Sequence, residues 1–118
     1  MKRILICEDE QDAQNSLQNI FSKRNYEVSS VSDGKSAIDQ AKSFKPDLIL
    51  LDIRMPKIDG LEVAREVRGF DKLVKIIFVS AFASPEIKKE AVKYNIVDYL
   101  TKPVPTDTLV QSVELALK

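Results

Sequence analysis

The feature that most restricts what this chain can become is a fivefold alternation of short apolar runs with segments whose apolar residues recur at helical spacing. Ile4-Leu5-Ile6-Cys7 precedes Ala13, Leu17, Ile20 and Phe21, and Val28 to Val31 precedes Ala37, Ile38 and Ala41. Leu48 to Leu51 precedes Leu61, Ala64 and Val67, Ile76 to Val79 precedes Ile87, Ala91 and Val92, and Ile96 to Leu100 precedes Leu109, Val113, Ala116 and Leu117. A short apolar run bounded by turn signals reads as a strand, and spacing of three and four reads as a helix with one buried face. Leu48-Ile49-Leu50-Leu51 and Ile76-Ile77-Phe78-Val79 offer water no polar side chain, the condition of a central parallel strand covered on both faces. Tyr26-Glu27-Val28-Ser29 mixes polar and apolar residues and suits an edge. Five such units in series predict one α/β domain over residues 1-118, with a doubly wound parallel sheet and helices on both faces.

Punctuation supports the parse. Asp33-Gly34, Asp59-Gly60 and Lys45-Pro46-Asp47 are turn or helix-start signals, and Ser84-Pro85 puts an N-cap before a proline at the first helical position. The length of 118 residues fits one ordinary core. Eighteen Lys and Arg balance eighteen Asp and Glu, so no global charge advertises nucleic acid or an anionic membrane, and electrostatic function must arise from local clustering. No apolar run approaches the roughly 18 residues of a spanning helix, and no leader-like segment precedes the first strand, so a soluble, cytoplasmic protein without membrane association is expected. The lone Cys7 sits in an apolar run and reads as a small buried residue. The chain contains no histidine, which excludes a Ser-His-Asp triad, a His-based metal site and a phosphohistidine of its own.

In doubly wound sheets ligands bind beyond the carboxyl ends of the strands. The residues there are Glu8-Asp9 after the first run, Asp52 after the third, Ser80 after the fourth and Thr101-Lys102 after the fifth. If the first and third strands are neighbours, three carboxylates share one pocket and repel unless a cation or protons intervene. With oxygen donors only and few of them, Mg²⁺ suits the site; Ca²⁺ wants more ligands and Zn²⁺ wants His or Cys. An aspartate beside Mg²⁺ can attack phosphorus, Lys102 supplies a point charge for a phosphoryl oxygen, and the Ser80 hydroxyl can donate to another. Each residue alone has a plainer reading: Glu8 or Asp9 as a helix-start acid, Asp52 as a turn residue before Met55-Pro56, Lys102 as a solvated lysine, Ser80 as a backbone-satisfied hydroxyl. Their joint placement at one sheet edge favours the phosphoryl chemistry.

Ile4-Leu5-Ile6-Cys7-Glu8-Asp9-Glu10, Pro46-Asp47 through Asp52-Ile53-Arg54-Met55-Pro56, Asp59-Gly60, Val79-Ser80-Ala81 and Asp98-Tyr99-Leu100-Thr101-Lys102-Pro103 together resemble the receiver domains of two-component response regulators, in order and across essentially the whole chain. The resemblance implies a flavodoxin-like strand order 2-1-3-4-5. It implies that Asp52 is the phosphoacceptor, with Asp9 a direct Mg²⁺ ligand, Glu8 an acid acting through water and Arg54 offering its backbone carbonyl. Ser80 resembles the switch hydroxyl, Tyr99 the switch aromatic, Lys102 the phosphate-contacting lysine and Pro103 the cis proline. For Tyr99 a half-buried edge residue, and for Pro103 an ordinary trans turn proline, are the plainer alternatives.

The resemblance further implies a signalling phosphoacceptor that catalyses only its own phosphorylation and dephosphorylation. Its expected partners are a sensor histidine kinase or phosphotransfer protein, and a downstream protein docking on the fourth helix, fifth strand and fifth helix, with no direct nucleic-acid binding. No output domain follows the fifth helix in this sequence, so output is expected in a partner, whether the chain is a stand-alone receiver, a phosphorelay intermediate or a receiver cut from a longer regulator or hybrid kinase. Asn95-Ile96 departs from the family's frequent Gly-Ala, although Asn tolerates a left-handed cap. Val104-Pro105 replaces the usual start of the last helix, and Arg54 and Phe82 occupy positions that influence phosphoryl loss. Two other readings compete. A haloacid-dehalogenase-type phosphatase wants a second Asp where Arg54 stands, and a flavodoxin-like carrier wants a phosphate-cradling loop where Glu8-Asp9-Glu10 stands.

Overall fold

In the computed structural model, which describes residues 1–82 and 84–118, the five apolar runs form strands. The order is β1 (Arg3–Cys7), α1 (Gln11–Ser22), β2 (Glu27–Val31), α2 (Gly34–Ser43), β3 (Leu48–Leu51), α3 (Gly60–Phe70), β4 (Lys75–Ser80), α4 (Pro85–Val92), β5 (Asp98–Thr101) and α5 (Thr106–Ala116). All strands are parallel in the order β2-β1-β3-β4-β5, so the fold class and topology expected from the sequence are those observed. β5 begins two residues later than the apolar run, because only Asp98 to Thr101 register with β4. Val97 instead donates its N–H to the Ile76 carbonyl at 2.8 Å.

Strand side chains alternate between two apolar layers. Leu5, Cys7, Ile49, Leu51, Ile76 and Phe78 pack against α2, α3 and α4 through Ala37, Ala41, Val63, Ala64, Val67 and Ala91. Ile4, Ile6, Leu48, Leu50, Ile77 and Val79 pack against α1 and α5 through Phe21, Leu109 and Val113. β2 is only half buried, as its mixed sequence requires of an edge. Cys7 is free and buried, and burial pushes its thiol pKa far above the ordinary range. Among the described residues no helix is long and apolar enough to cross a membrane.

Side-chain caps fix where three helices start, all at the edge where the strands finish. Asp33 accepts from Ser36 N–H at 2.8 Å, Asp59 from Glu62 N–H at 2.9 Å and Ser84 from Ile87 N–H at 3.2 Å. Asn95 adopts φ 55° after α4, the left-handed conformation that the sequence pattern allows for Asn. At the start of α3 the Gly60 N–H meets the Ile53 carbonyl at 2.7 Å, and a Cβ there would lie 2.1 Å from the Asp52 carbonyl oxygen. Glycine at 60 therefore lets α3 press against the backbone of Asp52. Gly69, within the same helix, faces no atom within 4 Å.

These two glycines predict opposite effects of one added methyl group. Gly60→Ala is expected to lose about 1–3 kcal/mol, since backbone must shift to relieve the overlap. Gly69→Ala is expected to gain about 0.5–1 kcal/mol through reduced unfolded-state entropy. Urea unfolding of the two variants beside the parent protein checks both; a Gly60→Ala midpoint at or above that of the parent would contradict the close approach.

Candidate functional site

Parallel register brings the reactive residues to one edge. Cys7 pairs with Leu51, so the residues that follow, Glu8 and Asp52, leave the sheet side by side. Asp52 N–H extends the ladder to the Cys7 carbonyl at 3.1 Å. Ser80 pairs with Thr101, and Lys102 N–H continues to the Ser80 carbonyl at 2.9 Å. The Lys102-Pro103 peptide bond is cis.

The Lys102 ammonium spans the pocket floor. Its Nζ donates to Glu8 Oε1 at 2.5 Å and to Asp52 Oδ2 at 2.9 Å. The other carboxylate oxygens are held by backbone: Glu8 Oε2 accepts from Glu10 N–H at 3.1 Å, and Asp52 Oδ1 from Arg54 N–H at 3.3 Å. Glu8 and Asp52 are buried, whereas Asp9 is exposed. Each of the three can place a carboxylate oxygen within 4.8 Å of the others.

Three carboxylates face one ammonium, so the pocket carries excess negative charge. Burial raises the Glu8 pKa above the usual glutamate value, and the neighbouring Asp52 charge adds to the rise despite the opposing Lys102 contact. For Lys102 burial alone would lower the pKa, but hydrogen bonds and charge from Glu8 and Asp52 outweigh it and hold the ammonium above its ordinary value. A divalent cation held there would relieve the excess. The donor set is oxygen throughout, with no histidine in the chain and Cys7 turned into the core, so it fits Mg²⁺.

The sequence-derived candidates divide into a cluster and its surroundings. Glu8, Asp9, Asp52 and Lys102 come together as described. Ser80 is fully buried at the neighbouring strand end, its Oγ accepting from Phe82 N–H at 3.2 Å. Tyr99 packs on Phe78 with ring centroids 5.6 Å apart, and its hydroxyl donates to the Phe82 carbonyl. Burial and the Asp52 charge raise the Tyr99 pKa. Arg54 stays near Asp52 through its backbone, while its guanidinium lies 4.0 Å from the Phe82 ring centroid.

Sequence reasoning passed over Gln14. Its two side-chain N–H groups reach the Glu8 carbonyl at 2.9 Å and the Val31 carbonyl at 3.0 Å, with one proton shared with the more distant Ser32 Oγ at 3.3 Å. The available signal was its spacing: Gln14 lies three residues before Leu17 and seven before Phe21, a polar residue on an apolar helix face.

Comparison with known proteins agrees with the fold and its family. A family model for the response regulator receiver domain matches residues 4–114. The chain is 31% identical to the chemotaxis protein CheY of Thermotoga maritima over 118 residues, which cover 99% of this chain and 98% of that protein. It is 32% identical to the regulatory protein AtoC of Escherichia coli along its whole length, and spans about a quarter (26%) of AtoC. A CheY-like response regulator receiver domain protein of Methanospirillum hungatei superposes with a TM-score of 0.96 at 26% identity, covering 99% of this chain and 94% of that one.

The Lys102 clamp generates a pH-dependent prediction for the protein in chelator. Because the folded pKa of Glu8 is raised, its contribution to stability is complete below the ordinary glutamate range and is lost as pH rises through the folded value. Lys102→Met raises that value further and leaves Glu8 and Asp52 uncompensated at neutral pH. The expected loss at pH 7 is about 1–3 kcal/mol, less than for a fully buried pair because the Lys102 side chain keeps 30% exposure. Urea midpoints measured from acid to neutral pH should converge in acid and separate as pH rises; a constant difference would contradict the clamp.

Proposed function

The chain belongs to the response regulator receiver domain family, and from that premise we propose that Asp52 accepts a phosphoryl group from the phosphohistidine of a partner kinase or phosphotransfer protein. The observation that carries the reading is the Lys102 ammonium bridging Glu8 and Asp52, with Asp9 completing an oxygen cluster at the sheet edge. Glu8, Asp9, Asp52 and the Arg54 carbonyl would hold Mg²⁺, which when bound offsets the charge of incoming phosphoryl oxygens. An Asp52 carboxylate oxygen forms the new bond to phosphorus, the phosphorus–nitrogen bond of the donor breaks, and the imidazole leaves with the electron pair. The donor histidine must come from outside, since the chain has none. Lys102, already on Asp52 Oδ2, is placed to follow charge onto a phosphoryl oxygen. Ser80 Oγ accepts from Phe82 N–H, so its proton remains to be donated to another.

The domain acts as a signalling phosphoacceptor whose chemistry is confined to itself. Engagement of Ser80 loosens the Phe82 contact, and Phe82 also holds the Tyr99 hydroxyl. The output is therefore a change of surface along α4, β5 and α5, read by a downstream protein. Phosphorylation shifts a pre-existing equilibrium by making different contacts in its two states.

Incubation with a small acyl phosphate and Mg²⁺, followed by intact mass, should add one phosphoryl group to the parent protein and none to Asp52→Asn. Chelation should reduce labelling to background. Labelling of Asp52→Asn at parental stoichiometry would mean that another residue is the acceptor.

Ser80→Ala should remain phosphorylatable on Asp52 while losing the response at Tyr99. Amide and ring chemical shifts with and without a stable phosphoryl mimic check this. Equal responses of α4 and α5 in parent and variant would sever Ser80 from the output.

A further inference from the structure

We propose that Gln14 is a positioning residue for the cation site: its side-chain amide fixes the backbone from which Glu8 and Asp9 project. The inference rests on the receiver reading above and extends it to a residue on α1 that touches neither metal nor phosphoryl group.

Three observations carry it. Gln14 is only 7% exposed, an unusual place for an amide unless its donors are engaged. Its nitrogen reaches the Glu8 carbonyl at the end of β1, the Val31 carbonyl at the end of β2 and Ser32 Oγ beyond it, so one side chain ties two strand ends to the helix. Its oxygen accepts from Gln11 Nε2 at 3.3 Å, which fixes the orientation of the amide. The loop so anchored is short: Asp9 lies between Glu8, whose backbone Gln14 holds, and Glu10, the N-cap of α1. Glu10 has no side-chain capping bond, and its N–H goes to the Glu8 carboxylate instead. With its own backbone flanked by these two fixed points, the exposed Asp9 carboxylate lies with an oxygen within 4.8 Å of those of Glu8 and Asp52, and makes no side-chain hydrogen bond among the described residues. Neighbours of this kind, which hold the residues that ligate a metal, typically change metal affinity about 10–100-fold when removed.

The isosteric Gln14→Met keeps the volume and removes the donors. Mg²⁺ titration followed by amide shifts of Cys7 to Asp9 and Asp52 should show affinity about tenfold weaker than in the parent. Val113→Ala, a core truncation on α5, serves as the control for general destabilisation and should keep parental affinity at a comparably lowered unfolding midpoint. Parental affinity in Gln14→Met, or equal weakening in both variants, would overturn the proposal by reducing Gln14 to a packing role. The parent protein provides a measurement that does not depend on variant folding. The two Gln14 side-chain N–H signals should exchange slowly with solvent and shift on Mg²⁺ addition, unlike those of the surface residue Gln18; rapid exchange would equally overturn the proposal. Absence of any Mg²⁺ response in the parent protein is a separate outcome that sinks the receiver reading itself.

Discussion

The Lys102 ammonium holds together an arrangement that the backbone alone would make unfavourable. Parallel register delivers Glu8 and Asp52 to adjacent positions at the sheet edge, both buried, and like charges so placed repel. Lys102 reaches both from β5, beyond the intervening β4. The contact that stabilises the cluster thus also ties the outer strand of the sheet to its centre. Any cation or anion entering the pocket would compete with this clamp, which links Asp52 to the end of β5 by contacts already present in the resting protein.

The sheet edge is part of a larger separation of charge. In the loops where strands end and helices begin, six acids (Glu8, Asp9, Glu10, Asp33, Asp52 and Asp59) outnumber three bases (Arg54, Lys57 and Lys102), while at the opposite ends Lys2, Lys23, Arg24, Lys45, Lys72, Lys93 and Lys118 outnumber Asp47 and Asp71. Helix N-termini carry partial positive charge, and the acidic edge complements it, as the lysines complement the helix C-termini. The formal net charge of zero conceals this polarity. It favours a cation over a bare anion at the functional edge.

Strand identity and the strand-end placement of the four cluster residues were legible because each depends on local pattern plus one rule, whereas the strand order came from the family resemblance. Apolar runs such as Leu48 to Leu51 could only be buried strands, and ligands in such sheets collect at the carboxyl ends. Two kinds of information were not legible. Gln14 drew no notice because its role depends on carbonyls from β1 and β2 that the sequence does not place beside it. The direction of the Arg54 side chain was equally hidden: the sequence placed Arg54 beside Asp52, but its guanidinium turns to the Phe82 ring in the loop after β4. Both are non-local contacts made by loops, whose partners are settled only when the sheet has assembled.

Phe82 shows how little travel a signal from the pocket would need. Its N–H is held by the Ser80 hydroxyl oxygen and its carbonyl by the Tyr99 hydroxyl, while its ring lies under Arg54, two residues from Asp52. One residue therefore touches the Ser80 hydroxyl at the end of β4, the aromatic side chain on β5 and the loop that leaves β3. Because Ser80 is fully buried, any rotation of its hydroxyl toward a phosphoryl oxygen must be matched by its immediate neighbours, and Phe82 N–H is the neighbour bound to that oxygen. Displacing this peptide alters the acceptor that positions Tyr99, whose ring packs directly on Phe78 of β4. Coupling between pocket and surface then needs no long pathway: it requires that one loop residue have two arrangements, each consistent with a different partner for the Ser80 hydroxyl.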